Sequence, residues 1–261
     1  MMLYLLYVIT GAVGGFIGGF LGLGGGIIFV PSLFYIFTYF QIQNDYVIQS
    51  AVSTSLACVV ISSLSATIKH YKNQLINWKI FYKMLPGLAL GSLSGVLFIT
   101  IFPSNVIKLF YSILLIIIAI YIFFEKENNI KSVLKFKFVH FFSYIIGTVS
   151  ALLGIGGGTL TTPYFKTQGE SLKSSIATAA ACGVPIASFG IILSIILNTF
   201  TNSFHTTILN YINLSSFILI SSSAILFSYF GAATTFSTNT SLLKNIFSLS
   251  ILIIGITIFF F

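Results

Sequence analysis

Apolar runs of 18 or more residues recur along this chain of 261 residues. Runs of that length are typical of helices that cross a lipid bilayer. Hydrophobic residues make up 57% of the chain and charged residues only 6%, whereas a soluble domain carries roughly 25% charged residues. The runs do not alternate in polarity as the strands of a membrane β-barrel do. The sequence therefore predicts an all-α polytopic membrane protein.

The chain contains two copies of one pattern. The stretch "GLGGG" at Gly22 to Gly26 recurs as "GIGGG" at Gly154 to Gly158, and the same offset of 132 residues pairs Pro31 with Pro163. Such internal self-similarity indicates a duplicated architecture. Two further matches support it, "QSAVSTSLACVV" with "KSSIATAAACGV" at an offset of 124, and Gly95 with Gly231 and Lys108 with Lys244 at an offset of 136.

Each predicted half holds five apolar segments. We predict a first membrane repeat at 1–124, a polar cytoplasmic linker at 125–137 and a second membrane repeat at 138–261. The first run has neither a basic start nor a small-residue cleavage site, so we predict a membrane span there and not a signal peptide. The ten segments lie at about 3–21, 27–40, 46–68, 80–102, 105–124, 138–153, 159–166, 173–198, 210–231 and 242–260.

Lysine placement predicts the orientation of the chain in the membrane. Loops on the cytoplasmic side carry an excess of basic residues. If the loop at 69–83 and the linker are cytoplasmic, alternation of the segments leaves only Lys108 outside, and both termini lie outside. Five segments per half then make the halves enter the membrane from opposite sides, which is the inverted repeat of many secondary transporters. The lysines predicted inside are Lys69, Lys72, Lys79, Lys83, Lys126, Lys131, Lys135, Lys137, Lys166, Lys173 and Lys244.

The paired glycine motifs are the candidate functional site. Non-helical backbone survives in a membrane only inside protein or beside a water-filled cavity, so we expect the two breaks to face the interior and meet near the midplane. Free N–H groups at the start of the following helix, and the nests that consecutive glycines form, bind anions. The alternative is close helix packing by small residues, which we prefer for "GAVGGFIGG" at Gly11 to Gly19. The predicted substrate-binding residues are Gly22, Gly24, Gly25, Gly26, Gly154, Gly156, Gly157, Gly158, Thr159, Ser53, Thr54 and Thr178.

Other polar residues offer little chemistry within the membrane. The four acidic residues fall in predicted loops or segment ends, so no intramembrane carboxylate indicates a cation or proton pump. The three histidines lie near loop ends and are interpreted as interfacial. No metal spacing and no catalytic constellation is found, so we predict no metal site, no cofactor and no enzyme. Cys58 and Cys182 are symmetry-related and are interpreted as packing residues, with pore-lining thiols as the alternative. The acidic residues are Asp45, Glu125, Glu127 and Glu170.

The stretches "GLGGGIIFVPSLF" and "GIGGGTLTTPYF", the duplicated halves and the "STSL" stretch at Ser53 to Leu56 resemble the sulfite exporter TauE/SafE family of membrane permeases. The resemblance covers nearly the whole chain. It implies transport of sulfite, a sulfonate or a related small sulfur-containing anion across the inner membrane. The second copy departs from the first at Ala179 and Ala180, which replace a hydroxyl and a leucine. The matching positions are Gly22, Gly24, Gly25, Gly26, Pro31, Gly154, Gly156, Gly157, Gly158 and Pro163.

The sequence favours the first of three function classes, an anion permease of the inverted-repeat type that works by alternating access. The second is a channel or uniporter for a small anion, because no internal carboxylate offers proton coupling. The third is a membrane enzyme or assembly factor. The expected partners are a small anionic substrate and the lipid bilayer of a bacterial inner membrane, and not nucleic acid, since the basic charge is explained by topology.

Overall fold

The computed structural model describes residues 1–42, 47–101, 103–124, 138–200 and 212–260, and these residues form helices and short connections without a strand. The predicted linker, Asp45, Glu125 and Glu127 lie outside the described residues. In the described part the helices are α1 (Met2–Leu21), α2 (Gly26–Tyr39), α3 (Val47–Lys72), α4 (Trp78–Ile101), α5 (Ser104–Phe124), α6 (Val139–Leu152), α7 (Gly158–Thr167), α8 (Leu172–Phe200), α9 (Leu214–Ser237) and α10 (Thr240–Phe260).

Each of the ten predicted segments corresponds to one helix, with differences at the ends. The ninth was predicted at about 210–231, but α9 begins at Leu214 and continues to Ser237. Its start is defined by Asn213, whose side-chain oxygen accepts a hydrogen bond from the Ser216 N–H at 2.9 Å, the usual role of Asn at a helix N-cap. Hydropathy alone did not show this cap.

Five of the described helices are long and apolar enough to cross a membrane, namely α1, α3, α4, α8 and α9. The helices that follow the glycine motifs are shorter, with 14 residues in α2 and 10 in α7. A full crossing needs about 20 residues, so the prediction that these two segments are short is confirmed. The protein is an integral, multi-pass membrane protein.

The helices α1 to α5 correspond in order to α6 to α10, and the contacts between helices follow this correspondence. Helix α1 packs on α9 as α6 packs on α4, and α3 packs on α9 as α8 packs on α4. The short helices follow the same rule, because α2 packs on α3 and α7 on α8. The contacts of α3 with α8 and of α5 with α10 each join a helix to its own counterpart. The core therefore consists of interleaved halves.

Close contacts give the relative directions of the helices. Along α3 and α8, Leu56 lies by Gly190 and Ser63 by Gly183, so these two helices run antiparallel. Along α1 and α9, contacts advance together from Gly11 by Ile220 to Gly19 by Ser228, so this pair is parallel. Helices α4 and α6 are likewise parallel, with Gly87 by Ser143 and Gly95 by Ala151.

Small residues bring α1 against α9 and α4 against α6. A Cβ atom added to Gly11 would lie 2.3 Å from the Ile220 carbonyl oxygen, and one added to Gly19 would lie 2.1 Å from that of Ser228. Both distances are far below van der Waals contact, so only glycine permits this approach. The packing interpretation of the Gly11 to Gly19 stretch is confirmed. Van der Waals packing of this kind is a main source of helix association in a bilayer.

The variant Gly231→Ala is expected to lower the thermal stability of the detergent-solubilised protein. Its Cβ would lie 2.0 Å from the Phe16 carbonyl oxygen in the neighbouring backbone, and overpacking of a tight interface costs about 1–3 kcal/mol. Gly190→Ala is the matched control, because its Cβ would meet only side-chain atoms at 3.3 and 3.5 Å. Equal melting temperatures of both variants in a thermal unfolding assay would contradict this packing.

Candidate functional site

Both glycine motifs connect a long helix to a short one through left-handed backbone. Helix α1 ends at Leu21 and its C-cap Gly22 has φ 71°, while Gly24 and Gly25 have φ 68° and 82°. In the second motif Gly154 and Gly157 have φ 68° and 79°. Glycine adopts this region without the steric cost that a Cβ atom brings. The glycines thus allow the chain to turn sharply between two helices.

The two motifs are in direct backbone contact and all of their residues are buried. A Cβ atom on Gly26 would lie 2.3 Å from the Gly154 carbonyl oxygen, and one on Gly158 would lie 2.1 Å from that of Gly22. A Cβ atom on Gly24 would lie 3.3 Å from the Cα of Gly156. Close packing alone therefore requires these six glycines. Anion binding must be argued from the helix starts that the motifs create.

Helices α2 and α7 both begin without a side-chain cap, at the N-caps Gly25 and Gly157. The first backbone N–H groups of a helix have no acceptor within the helix. The helix dipole adds a partial positive charge at the same end. Each motif therefore points uncapped, electropositive backbone toward the centre of the protein.

The surroundings of the two helix starts differ. A Cβ atom on Gly25 would lie 2.5 Å from the Phe29 ring and 2.9 Å from the Gly14 carbonyl oxygen, so the first start is closed by an aromatic side chain. At Gly157 the near neighbours are the flexible end of Ile186 at 2.4 Å and the Ser150 hydroxyl at 3.6 Å. The residue equivalent to Phe29 is Thr161, which is smaller. The start of α7 is consequently the roomier and more polar of the two.

Three buried hydroxyl groups, one near the end of α6 and two in α7, have no hydrogen-bond partner. These are the side-chain oxygens of Ser150, Thr159 and Thr162, and each residue is at most 3% exposed. Thr159 and Thr162 lie three residues apart and so share one face of α7. A buried hydroxyl without a partner costs about 1–3 kcal/mol. We call Ser150, Gly157, Thr159 and Thr162 the α7 niche.

Helix α3 holds both motifs in place through serine hydroxyls. Ser55 donates a hydrogen bond to the Gly154 carbonyl oxygen at 2.8 Å, and Ser62 donates to that of Gly24. The counterpart of Ser55 in the second half is Ala179, which has no hydroxyl and cannot donate the equivalent hydrogen bond to the first motif. The sequence difference at this position is thus also a structural difference between the halves.

The predicted site residues Thr54 and Thr178 bind backbone at helix ends. The Thr54 hydroxyl accepts a hydrogen bond from the Asn213 N–H at 3.1 Å, and the Thr178 hydroxyl accepts one from the Asn77 N–H at 2.9 Å. Each threonine therefore supports the first residue before a helix of the other half. Ser53 is also buried on α3, at 5% exposure. Both cysteines are fully buried and form no disulfide.

Asn77 and Asn213 are the residues that sequence reasoning missed. Each precedes a helix and caps it, since the Asn77 side-chain oxygen accepts from the Ile80 N–H at 3.3 Å and Asn213 accepts from Ser216. The signal was present as the dipeptide "IN" at residues 76–77 and again at 212–213. Its offset of 136 is the one that pairs Gly95 with Gly231.

The variant Thr178→Val is expected to lower stability by about 1 kcal/mol, because it removes the acceptor of a half-buried backbone N–H. If Thr178 acts only through Asn77, the KM of transport stays unchanged while the melting temperature falls. If Thr178 also contacts the anion, KM rises. Thr167→Val is a matched control, since the Thr167 hydroxyl donates to a carbonyl of its own helix at 2.7 Å.

The apolar helices, the two broken helix pairs and the buried, uncapped helix starts define a membrane protein of the transporter class. The family model described as "Sulfite exporter TauE/SafE" matches residues 7–258. The chain belongs to this family, and its resemblance to it in sequence is confirmed.

Relatives of this chain carry transporter names. It is 27% identical to a probable membrane transporter protein of Haemophilus influenzae over 264 residues, which cover 98% of this chain and 97% of the relative. It is 31% identical to a probable membrane transporter protein of Methanocaldococcus jannaschii over 74% of this chain and 73% of the relative. A third relative, the probable membrane transporter protein YunE of Bacillus subtilis, is 28% identical over 62% of this chain and 67% of its own. No solved structure matches the chain. The protein is a membrane transporter.

Proposed function

We propose that this transporter is a permease of the bacterial inner membrane for a small anion, namely sulfite, a sulfonate or a related sulfur-containing anion. The observation that carries the proposal is the α7 niche, where an uncapped helix start lies beside buried hydroxyls without partners. A tetrahedral or pyramidal oxyanion accepts hydrogen bonds from both kinds of donor. The sulfur-containing substrate is inferred from the family, because the niche chemistry suits small oxyanions in general.

The directions of the helices support an inverted repeat. In an inverted repeat, each helix of the first half runs opposite to its counterpart, and the antiparallel pair α3 and α8 fits this. The same arrangement accounts for the parallel pairs α1 with α9 and α4 with α6. If α1 and α4 run in opposite directions within the first half, inversion makes α9, the counterpart of α4, run parallel to α1, and α6, the counterpart of α1, run parallel to α4. The glycine breaks then meet between the two halves, where such transporters bind their substrates.

Contacts at one end of the helices support the orientation predicted from lysines. Lys69 and Lys72 lie 5.1 and 5.8 Å from the ring of Tyr229 near the end of α9. At the same end, the Asn77 side chain donates to Glu170 at 2.8 Å and so joins the loop before α4 to the loop before α8. This basic end corresponds to the cytoplasmic side under the positive-inside rule.

The two ends of the helices differ in packing. At the end away from the lysines, a cavity of about 450 Å³ opens between α3, α8 and α9, and Ala57, Leu214 and Phe217 line it. At the basic end the equivalent residues Ala181, Trp78 and Phe81 pack with Ile76 and Ala177 in one apolar cluster. A smaller cavity of about 340 Å³ lies beside that cluster, at Tyr71, Lys72 and Trp78. The direct contact of the two motifs favours a gated permease over an open anion channel.

Reconstitution into liposomes tests the proposal. Purified protein is expected to carry labelled sulfite or taurine across the bilayer at a rate well above that of protein-free liposomes, with a saturable KM. Uptake is measured with and without a pH gradient, which separates a coupled permease from a uniporter. Absence of flux for every small oxyanion tested, in a preparation that remains monodisperse, would contradict the proposed function.

A further inference from the structure

His70 is the buried ionisable group that the anion site does not use. It lies in the last turn of α3 and its side chain is 0% exposed. Among the histidine, lysine and acidic side chains that the structure describes, only this one is fully buried. His70 lies near a helix end, as its interpretation as an interfacial residue expects, but its side chain is enclosed by protein. An ionisable group inside a membrane protein is costly and is kept there for a function in many transporters.

The imidazole lies between its own helix α3 and the helices α1 and α9. Its ring centre lies 6.0 Å from that of Phe236 on α9, and it faces the backbone of Gly19 on α1. Neither ring nitrogen has a hydrogen-bond partner. An imidazole that served only to fill space would be replaced by an apolar side chain at no cost, because the unpaired nitrogens are themselves unfavourable.

The charged groups described at this end of the helices are mainly lysines. On its own helix Lys69 and Lys72 contact the ring of Tyr229, the titratable side chain that α9 brings to this end. On α8 the Lys173 ammonium group donates to the Phe236 carbonyl oxygen at 2.6 Å. The last two turns of α1 contain no titratable residue. Glu170, the one acidic residue in the described part of the chain, is bonded to Asn77 and Ser174 instead.

This charge pattern links a proton on His70 to an anion. In the described part of the chain, no carboxylate contacts the imidazole to balance an added proton, since Glu170 is bonded elsewhere. An anion in the centre of the protein supplies the missing negative charge, so each ligand favours binding of the other, and such coupling is reciprocal by thermodynamic necessity.

The position of His70 also connects it to the glycine motifs. Gly19, which it faces, packs against the Ser228 carbonyl oxygen, and the preceding Gly18 would place a Cβ atom 2.2 Å from the Gly25 nitrogen. A charge on the imidazole therefore acts at the turn of α1 that leads into the first motif. This is the segment that must move if the two motifs separate during transport.

We propose that His70 is the proton-binding residue of this transporter and couples anion movement to the proton gradient. The coupling rests on the proposed function and is a symport of one proton with one anion. The neutral imidazole takes one proton from the water on the side where the anion enters. It stays protonated while the anion crosses, and it releases the proton to the water on the other side. One proton per monovalent anion makes the cycle electroneutral.

The test uses methanesulfonate, whose charge does not change near neutral pH, so any pH effect belongs to the protein. In proteoliposomes, wild-type protein is expected to accumulate labelled methanesulfonate on the alkaline side, up to about tenfold for each pH unit, because one coupled proton contributes a factor of ten per unit. His70→Gln is expected to carry the anion down its own gradient but to lose accumulation driven by pH. His140→Gln is the matched control, since His140 is exposed at the start of α6.

The second variant, His70→Leu, distinguishes loss of coupling from misfolding, because leucine packs against Phe236 and leaves no unpaired nitrogen. It is expected to match the wild-type melting temperature and to show the same loss of pH-driven accumulation as His70→Gln. Accumulation by either His70 variant at the wild-type level would overturn the coupling role. Downhill flux in the wild type without any response to pH would also overturn it, while leaving the proposed function intact. Complete absence of wild-type flux would instead contradict the proposed function itself, and the coupling role with it.

Discussion

The variant Gly157→Ala is expected to abolish anion transport while leaving a folded protein. Its methyl group would project into the α7 niche, where it meets only the flexible end of Ile186 at 2.4 Å and the Ser150 hydroxyl at 3.6 Å. Ile186 can move aside, so the core tolerates the change. An anion loses its approach to the backbone N–H groups at the start of α7, and with it the strongest donors of the site. Uptake of labelled sulfite into proteoliposomes measures the effect.

The conformational cost of this substitution needs its own control. Gly157 has φ 79°, and a residue with a Cβ atom pays about 1–2 kcal/mol in that region. Gly169→Ala carries the same strain, at φ 89°, in the loop before α8. Equal loss of transport in both variants would show that backbone strain, and not obstruction of the α7 niche, causes the defect. Normal transport by Gly157→Ala would show that Gly157 acts only in the turn.

The double variant Ser150→Ala, Thr159→Val is expected to lower kcat/KM by roughly a hundredfold or more. Each hydroxyl that donates to a charged ligand contributes about 1.5–3 kcal/mol, and 1.4 kcal/mol corresponds to a factor of about ten. Because both hydroxyls lack partners in the unliganded protein, their removal relieves unpaired polar groups. The melting temperature is therefore expected to stay constant or rise while transport falls.

Thr161→Val is the matched control on the same helix. Its hydroxyl already donates to the Gly157 carbonyl oxygen at 2.9 Å, so it is not available to the anion. This variant is expected to transport within a few-fold of the wild type. If it loses as much activity as the double variant, or if the double variant is fully active, the unpaired hydroxyls do not form the binding site.

The helices were predictable from the sequence because each one is an apolar run bounded by polar or glycine-rich residues. The glycine motifs were predictable as breaks for the same reason, and their exact duplication indicated that they belong together. Helix ends depended on local capping instead. The start of α9 at Leu214 is determined by the Asn213 side chain, which a hydropathy profile does not register.

The directions in which side chains face were not predictable. In a soluble protein the buried face of a helix is marked by its apolar residues, but in a bilayer the lipid-facing side is apolar too. His70 therefore looked like an interfacial residue at the end of an apolar helix, and only the packing of α1 and α9 around it shows that it is buried. The difference between the starts of α2 and α7 was not predictable for the same reason. The sequence does not show that the Phe29 ring lies against the start of α2, or that the smaller Thr161 occupies the equivalent position in α7.

Duplication with unequal halves also explains why twelve predicted site residues do not contribute alike. The paired glycines are needed for the motifs to meet, and Thr54 and Thr178 hold helix ends across the two halves. The polar donors lie in the second motif, where "TLTT" replaces the apolar "IIFV" of the first. This difference is the reason that we propose a single anion site at α7, with the α2 start as its closed counterpart.

Binding of one anion at the start of α7 can be tested by a crystallographic map of the protein with selenite. Selenite has the shape and charge of sulfite, and its selenium atom is located by anomalous scattering. We expect one selenium peak within hydrogen-bonding reach of the Ser150 and Thr159 hydroxyls and the backbone N–H groups after Gly157. A peak at the start of α2, or anywhere outside the two glycine motifs, would contradict it.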